Sequence, residues 1–274
     1  MLMLVPVQCG GYVSFLHETK ILPRNVRQGL ERPKKINRNA PGTGGWVGLG
    51  RRPRDLRQIL EGIFHILRGG YPWRDLPGRF GPWQTVYGRF RKYCLEGFWA
   101  KLFGEAAKGA KGKLRFIDGS YVRVHQDGAP AVGLADSEGV GTSRGGRNSK
   151  IHALVDLHGR AVKLIITPGN VHDISAAPDL VEGLKESVVI ADKAYDSDSI
   201  IEYLNASNIQ AVIPPRCNRL VQRAFDKHLY RNRNLVERFF CRIKQFRRIA
   251  TRYDKLAQRF ASFVAFTAAI IWLA

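Results

Sequence analysis

The stretch Tyr230–Lys244 reads YRNRNLVERFFCRIK, and its residues divide into two faces of one predicted helix. Because an α-helix turns by about 100° per residue, Tyr230, Arg233, Glu237 and Lys244 share one narrow stripe. The opposite side is apolar and consists of Leu235, Val236, Phe239, Ile243 and Phe246, with Phe240 on its flank. This pattern predicts a single amphipathic helix over about residues 225–248 that packs its apolar side on a core.

The polar stripe holds one carboxylate among cations and a phenol, a combination suited to phosphate chemistry. Glu237 can help to bind a divalent cation, while Arg233 and Lys244 can hold a polyanion. A solvated charged face is the more frequent meaning of such a stripe taken alone. The remainder of the chain therefore has to decide between these two interpretations.

The charge of the chain favours a nucleic-acid partner. Its 274 residues include 44 Lys and Arg against 23 Asp and Glu, a formal net charge of +21. The excess is segregated, because residues 216–259 alone carry 14 basic and three acidic residues. Segregated positive charge is expected of a DNA-binding protein, and we find no amphipathic basic helix that ends in a lipid anchor. We therefore expect DNA, and no membrane, as the partner.

The cysteines and the two ends of the sequence favour a cytoplasmic protein. The four cysteines form no Cys-x-x-Cys motif and no pair with metal-ligand spacing, so we expect reduced thiols. The first 16 residues lack a basic leading segment, which argues against a signal peptide. Residues 260–274 are apolar but fall short of the roughly 18–20 residues that span a bilayer, so we expect a buried C-terminal helix.

Composition and periodicity divide the chain into three predicted parts. Residues 1–50 are basic and rich in glycine, which predicts an irregular segment. Residues 51–110 contain three helical patterns, at Asp55–Leu67, Trp83–Cys94 and Phe98–Ala107. We interpret this part as a small DNA-binding domain that resembles a helix-turn-helix, because its second helix carries the basic residues Arg89, Arg91 and Lys92. A plain helical subdomain that packs on the remainder of the chain is the alternative.

Residues 111–274 alternate between strand and helix patterns, which predicts an α/β domain with a mixed sheet. We expect strands at Leu114–Ile117 and Tyr121–His125, joined by a tight hairpin at Gly119-Ser120. Residues 133–149 then form a long loop in this prediction. Further strands are expected at Ile151–Leu157, Ala161–Thr167, Val188–Ala191 and Gln210–Ile213, with helices at Ser175–Leu184 and Ile200–Ala206.

Three carboxylates are candidates for a metal site. Asp118 and Asp192 each follow a predicted strand, and such strand ends face the crevice where α/β sheets bind ligands. Glu237 adds a third carboxylate from the helix. Together they can bind two divalent cations, which activate water or a 3′-hydroxyl for attack on a phosphodiester. Each aspartate alone is more often a turn residue or a helix cap, and for Asp192 a cap is a specific alternative. For His125, His152 and His172 a neutral core or loop residue is the more frequent role, and support of a metal site or contact with DNA is the alternative.

Several stretches of this sequence resemble the DDE transposases of bacterial insertion sequences, in the fifth insertion-sequence family. The Tyr230–Lys244 stripe matches that group's Tyr-x2-Arg-x3-Glu-x6-Lys signature without a mismatch. The other matching stretches are FIDGS at 116–120, RGGRNSKIH at 144–152, GNVHD at 169–173 and ADKAYD at 191–196. Further upstream, YPWRDLP at 71–77 and GPW at 81–83 resemble the helical region of the same family.

The resemblance implies a ribonuclease H-like catalytic core with Asp118, Asp192 and Glu237 as its magnesium-binding residues, and with Mn²⁺ as a substitute metal. It implies that Arg233 and Lys244 contact DNA near the cleaved strand and that Tyr230 supports that surface. The neighbouring basic residues Arg238, Arg247 and Arg248 are further candidates for DNA contacts.

Three functions are compatible with this sequence. The first is a transposase that binds terminal inverted repeats of double-stranded DNA, cuts with Mg²⁺ and joins the 3′ ends to target DNA, acting as a homo-oligomer in the bacterial cytoplasm. The second is a catalytically inactive DNA-binding remnant that represses related elements. The third is a nuclease of the same fold without strand transfer.

Overall fold

The structure, a computed structural model, describes residues 55–131, 133–220 and 222–273. The irregular segment predicted over residues 1–50 lies outside these described residues. The region that follows it is helical, as predicted: α1 (Leu56–Gly69), α2 (Trp83–Leu95) and α3 (Phe98–Ala107). Gly70 ends α1 in the left-handed conformation (φ 72°), which a residue without a Cβ adopts at little cost.

The remaining elements form a mixed sheet with helices. The strands are β1 (Leu114–Val124), β2 (Gly141–Ser143), β3 (Gly146–Val155), β4 (Ala161–Pro168), β5 (Val188–Ile190), β6 (Gln210–Val212) and β7 (Thr251–Arg252). The helices are α4 (Asp173–Val181), α5 (Asp198–Ala206), α6 (Lys227–Tyr230), α7 (Asn234–Ile243), α8 (Arg247–Ala250) and α9 (Ala257–Leu273).

The order of the strands confirms the predicted ribonuclease H-like core. Strand β1 lies at the centre, with β3 antiparallel on one side and β5 parallel on the other. Strand β3 also pairs antiparallel with β4 and with β2, and β6 extends the sheet beyond β5 in parallel. The first long strands therefore form an antiparallel meander, and the later strands join through helical crossovers.

The predicted hairpin at Gly119-Ser120 is wrong. Strand β1 runs without a turn from Leu114 to Val124, and Gly119 and Ser120 pair in register with His152 and Ile151 of β3. A glycine-serine pair favours a turn locally, but eight consecutive pairs between β1 and β3 favour the extended strand. Asp118 therefore lies inside the central strand and does not follow its end.

The predicted loop over residues 133–149 is wrong in its second half. Residues 141–143 form β2, and β3 already begins at Gly146, so this segment is a β-hairpin whose two arms pair directly. Its glycines and polar residues lack the apolar alternation that identifies a strand in a sequence.

The predicted long helix over residues 225–248 is divided in the structure. A short 3-10 turn, Arg231–Arg233, connects α6 to α7, and α7 ends at Ile243 before the separate helix α8 begins at Arg247. Phe246 has an extended backbone and its side chain is buried, which interrupts the helix between α7 and α8. The predicted apolar face is nevertheless buried, through Val236, Phe239, Phe240, Ile243 and Phe246.

The C-terminal helix α9 is the core element that joins the helical region to the sheet domain. Phe263 stacks on Phe90 of α2 with ring centroids 4.3 Å apart, and Phe266 packs on Trp99 of α3 at 4.4 Å. One continuous apolar cluster includes residues of α1, α2, α3, α7 and α9 and of strands β1 and β3. No helix among the described residues is long and apolar enough to cross a membrane.

Candidate active site

The parallel pairing of β1 with β5 brings Asp118 and Asp192 to the same edge of the sheet. Phe116 of β1 is the register partner of Ile190, the last residue of β5. Asp118 and Asp192 each lie two residues beyond that pair. Asp192 also accepts a hydrogen bond from Ala194 N–H (2.8 Å) and caps the short turn that follows, so it is the cap residue considered above as well as a site candidate.

Arg233 connects Glu237 to this edge of the sheet. Its Nη1 donates to Asp118 Oδ2 at 3.2 Å, and its Nη2 donates to Glu237 Oε1 one helical turn further along. Burial alone would lower the pKa of Arg233, but the carboxylates of Glu237 and Asp118 outweigh it, so the pKa is raised. Arg233 therefore remains a cation between two carboxylates.

The environment of Asp118 disfavours its charged form. Burial raises the pKa of Asp118 to about 6 from its ordinary value of 3.8. Gly119 N–H, which donates to Asp118 Oδ1 at 2.8 Å, and Arg233 oppose this shift, whereas Asp192 and Asp173 add to it. The last two contributions identify a group of neighbouring carboxylates whose mutual repulsion a further cation would relieve.

The chemistry of this group suits a hard divalent cation. All of its donors are carboxylate oxygens, the ligands that Mg²⁺ prefers, and a guanidinium already stands as a cation between Asp118 and Glu237. Among the described residues, no group of three or more Asp, Glu, His or Cys side chains is arranged around a common point where a metal ion could sit. The chemical type of these side chains therefore suits a divalent metal ion, although Arg233 lies between Asp118 and Glu237.

Tyr230 and Lys244 are the two ends of the predicted stripe; Tyr230 precedes Arg233 in the sequence and Lys244 follows Glu237. Lys244 Nζ donates to Ser120 Oγ at 2.6 Å, two residues after Asp118 on β1. Burial lowers the pKa of Lys244 from its ordinary value. Tyr230 packs edge-on against Phe225 with ring centroids 5.5 Å apart. Arg233, Glu237 and Lys244 thus all face strand β1 or each other, although the helix that carries them is divided.

The other basic residues predicted to contact DNA fall into two groups. Four of them have exposed side chains, namely Arg91, Lys92, Arg238 and Arg247, and Arg89 is half-buried with its guanidinium over the ring of Tyr93. Arg248 is different, because it is only 5% exposed and forms a salt bridge with Asp254 at 3.1 Å. Arg248 is therefore not available to DNA, which corrects its assignment to the DNA surface.

Sequence reasoning assigned no role to two residues whose side chains interact electrostatically with Asp118, namely Asp173 and Tyr195. Burial is the main cause of the raised pKa of Asp118, and the charge of Asp173 adds to it. Burial is also the main cause of the raised pKa of Tyr195, to which the charges of Asp173, Asp118 and Asp192 add. Both lie within the matching stretches quoted above, so the sequence contained a signal without indicating what they contact.

Outside this group of carboxylates, Asp196 binds residues of the loop that follows β6. Asp196 is buried, accepts from the backbone N–H of Arg216 at 2.8 Å, and pairs with the side chains of Arg219 (2.6 Å) and Arg223. Burial opposes ionisation, but these donors prevail and lower the pKa of Asp196. The basic loop is therefore held against the turn that begins at Asp192.

Comparison with known proteins places these features in a family. A family model described as "Transposase DDE domain" matches residues 109–272, and a second model, "Putative transposase of IS4/5 family", matches residues 34–103. A putative transposase for insertion sequence element IS6501 from Brucella ovis is 39% identical over 128 residues, which cover 46% of this chain and 98% of that protein. A transposase for insertion sequence element IS1106 from Neisseria meningitidis is 36% identical over 97 residues, 33% of this chain and 34% of that protein. Among solved structures, the piggyBac transposase synaptic complex with hairpin DNA aligns with 78% of this chain and 52% of its own at 11% identity and a TM-score of 0.41.

Proposed function

The chain belongs to the DDE transposases of insertion sequences, and from this premise we propose that it cuts the ends of its element and joins the 3′ ends to target DNA. Asp118, Asp192 and Glu237 are the proposed metal-binding and catalytic residues. The observation that carries this proposal is the bridge from Arg233 to both Asp118 and Glu237, because Arg233 lies 115 residues after Asp118 in the sequence and joins the helix carboxylate to the strand carboxylate.

The metal is proposed to be Mg²⁺, with Mn²⁺ as a substitute. When bound by carboxylates, such ions polarise the phosphodiester and activate the attacking water or 3′-hydroxyl. The protein side chains determine where the metal ions, and therefore the reaction, are located. Asp118 and Asp192 hold oxygen ligands at the edge of the rigid sheet, and Glu237 adds a carboxylate from a helix that is anchored in the core by its apolar face.

DNA is proposed to lie over the exposed basic residues near these carboxylates. Lys244 and Arg233 lie beside β1, and Arg238 and Arg247 are exposed on the same segment of chain. Phosphate contacts of this kind position a duplex without reading its sequence. We propose that the helical region, residues 51–110, contributes to recognition of the terminal inverted repeats through Arg91 and Lys92, that residues 111–274 form the catalytic domain, and that the protein works as a homo-oligomer on DNA in the cytoplasm.

The test is cleavage and joining of a labelled duplex that carries the element's own end, with Mg²⁺. We expect wild-type protein to cut at the repeat and to yield joined products with a target plasmid. Asp192→Asn and Glu237→Gln keep the size of the side chain and remove its charge, so both are expected to bind the duplex and to lose cutting by more than about a hundredfold. Exposed Glu202 on α5 provides a matched control, and Glu202→Gln should cut like wild type.

The result distinguishes the proposed function from its competitors. Cutting that survives Glu237→Gln would show that the helix carboxylate is not part of the site. Cutting without joined products would identify a nuclease, and binding without any cutting by wild type would identify an inactive remnant.

A further inference from the structure

We infer that a cleft between the helical region and the sheet domain binds an unpaired nucleotide of DNA, with the base against aromatic side chains and the phosphate against basic ones. The cleft has a volume of about 240 Å³. Trp73, Trp83 and Tyr87 line it from the helical region, and Tyr253 and Arg259 line it from the sheet domain. This inference rests on the proposed function, because it identifies a second place where the same DNA is held.

Aromatic rings form much of the lining of this cleft. The ring centroid of Tyr87 lies 5.2 Å from that of Trp73 and 6.5 Å from that of Trp83. In the sheet domain, Tyr253 packs on His125 with ring centroids 4.9 Å apart. The rings of the cleft are only partly buried, so part of each remains accessible. Exposed rings that are already held in place by other rings form a surface on which a base can stack with little further loss of side-chain entropy.

Two cations of the cleft are not neutralised by the protein. Lys255 is exposed, and the guanidinium of Arg259 lies 5.4 Å from the ring centroid of Tyr87. Neither of these cations forms a salt bridge within the part of the chain that the structure describes. The third cation, Arg248, differs because it pairs with Asp254 at 3.1 Å. A phosphate group at the cleft would therefore meet two cations that have no competing carboxylate partner.

The size and charge of the cleft favour a nucleotide over other ligands. Aromatic rings also attract organic cations, but this lining already contains three cations against two carboxylates, Asp127 and Asp254. A further cation is therefore repelled, whereas a ligand that carries both a planar ring and an anion is attracted. The volume is below the ~300–1,000 Å³ of sites for drug-sized ligands, so it suits a single ring system and not a run of stacked bases.

The cleft continues the DNA surface proposed for the helical region. Trp83, Tyr87 and Arg91 follow one another at intervals of four residues on α2, so they share one side of this helix. Arg91 is exposed and is one of the residues proposed to contact the terminal repeats. The stretches YPWRDLP and GPW, which supply Trp73 and Trp83, thereby gain a chemical role beyond packing.

The other side of the cleft is connected to the strand that carries Asp118. Tyr253 directly follows β7, and β7 pairs with the end of β1 through Arg252 and Val124. Six residues of extended strand, or about 20 Å, separate Asp118 from Val124. This distance is shorter than one turn of duplex DNA, which is about 34 Å. One DNA end can therefore reach the proposed carboxylate site and the cleft at the same time.

The experiment compares two short single strands of DNA that differ in one base. One strand carries a single 2-aminopurine, a base whose fluorescence falls when it stacks on an aromatic ring, and the other strand is abasic at that position. All remaining positions of both strands are abasic, so the two strands present the same phosphates. In the absence of metal, we expect wild-type protein to bind the 2-aminopurine strand about tenfold more tightly and to quench its fluorescence, as one base stacked on protein rings should.

Variants of the cleft test which side chains cause this preference. Tyr253→Leu removes a ring and keeps an apolar side chain, so it should abolish the preference while the abasic strand is bound like wild type. Tyr203→Leu is the matched control, since Tyr203 is an exposed tyrosine on α5 outside the cleft, and it should keep the preference. Arg259→Gln should weaken binding of both strands, whereas Lys185→Gln, which changes an exposed cation outside the cleft, should not.

A paired duplex of the element's end separates failure of this inference from failure of the proposed function. If wild type binds that duplex but binds the two single strands equally, or if Tyr253→Leu keeps the preference, only the inference is overturned. If wild type does not bind the duplex, the proposed function itself is wrong. Should Tyr253→Leu not fold, as judged by thermal melting, Tyr87→Leu decides in the same way, because it removes another ring of the cleft.

Free nucleotide is the other source of the same chemistry, and 2-aminopurine deoxyribonucleoside monophosphate tests it. We expect this monophosphate to be quenched only at concentrations well above those of the strand, because it lacks the neighbouring phosphate contacts. Quenching of the monophosphate at concentrations that leave the strand unquenched would identify a free nucleotide as the ligand and would overturn its assignment to DNA.

Discussion

Single residues at the site carry their charge at a cost to stability. Asp118 is largely removed from water on the central strand, and the cation that pairs with it in the described part of the chain, Arg233, is shared with Glu237. Removing water from a carboxylate disfavours the anion, and one shared guanidinium does not compensate for this. The charged form of Asp118 therefore lowers the stability of the folded protein, and a cation bound at the proposed site would offset that loss.

Asp118→Asn should stabilise the metal-free protein at neutral pH. The folded pKa of Asp118, about 6, is above its ordinary value of 3.8, so the stability contributed by the neutral carboxyl is fully present below pH 3.8 and is lost as the pH rises through about 6. Asparagine remains neutral throughout, and we expect a gain of about 2 kcal/mol at pH 7.5 that disappears toward pH 4. Urea unfolding in EDTA at both pH values measures it. A gain of equal size at pH 4 and pH 7.5 would contradict the assigned pKa.

Lys244→Ala should weaken binding of the element's end and reduce its dependence on salt. We expect the slope of log K against log salt to fall by about 0.9, the value for one lost phosphate contact. Lys185→Ala removes an exposed lysine before β5 and should leave the slope unchanged. Fluorescence anisotropy at several salt concentrations gives both slopes, and an unaltered slope for Lys244→Ala would remove this residue from the DNA surface. Ser120→Ala should bind the element's end like wild type, because it removes only the hydroxyl that accepts a hydrogen bond from Lys244 and leaves the lysine in place.

At the scale of elements, α7 positions Glu237 because its opposite face is fixed in the core. Val236, Phe239 and Ile243 are each fully buried, and Glu237 is 51% exposed on the other side. The helix has ten residues, which is too short to be stable alone in water, so tertiary packing of this face supports it. The orientation of the Glu237 carboxylate is therefore set by hydrophobic contacts that do not touch it.

Phe239→Ala should destabilise the protein by about 3–5 kcal/mol, the usual cost of removing a buried phenylalanine. Arg238→Ala changes the adjacent, exposed residue of the same helix and should alter stability by less than about 0.5 kcal/mol. The two unfolding free energies are compared under identical conditions. A loss below about 1 kcal/mol for Phe239→Ala would mean that α7 is not held by this face.

At the scale of the whole molecule, one buried ion pair links the helical region to the sheet domain. Arg248 of α8 pairs with Asp254 and donates to Tyr71 O at 3.1 Å, in the segment between α1 and α2. Its guanidinium also lies 5.2 Å from the ring centroid of Phe263 on α9 and 5.7 Å from that of Trp73. A single side chain thereby connects three segments that are remote in sequence.

Arg248→Met should destabilise the protein by about 3–5 kcal/mol, because it leaves the Asp254 carboxylate buried without its partner. Arg247→Met is the matched control one residue earlier, where the side chain is exposed, and its effect should stay below about 0.5 kcal/mol. Thermal melts measure both. Equal melting temperatures for the two variants would show that the buried pair does not join the two regions.

The sequence by itself determined the elements whose signals are local. Gly70 and Pro82 mark the end of α1 and the start of α2, the apolar period of residues 260–274 predicts a buried helix, and the stripe on Tyr230–Lys244 predicts that Arg233 and Glu237 meet. These features depend on backbone preference and on side-chain spacing within one element, and both can be read from neighbouring residues.

Only the tertiary structure decided which distant residues meet. Pairing of β1 with β3 keeps Gly119 in an extended strand, and the missing side chain of Gly119 lets the Asp173 carboxylate of α4 lie directly against that strand. The burial of Arg248 likewise depends on Tyr71, Phe263 and Asp254, and the basic residues next to Arg248 in the sequence do not predict these contacts. Strand register and burial are set by contacts across the whole chain, and these contacts outweigh the local preference of a glycine-serine pair for a turn or of an arginine for solvent.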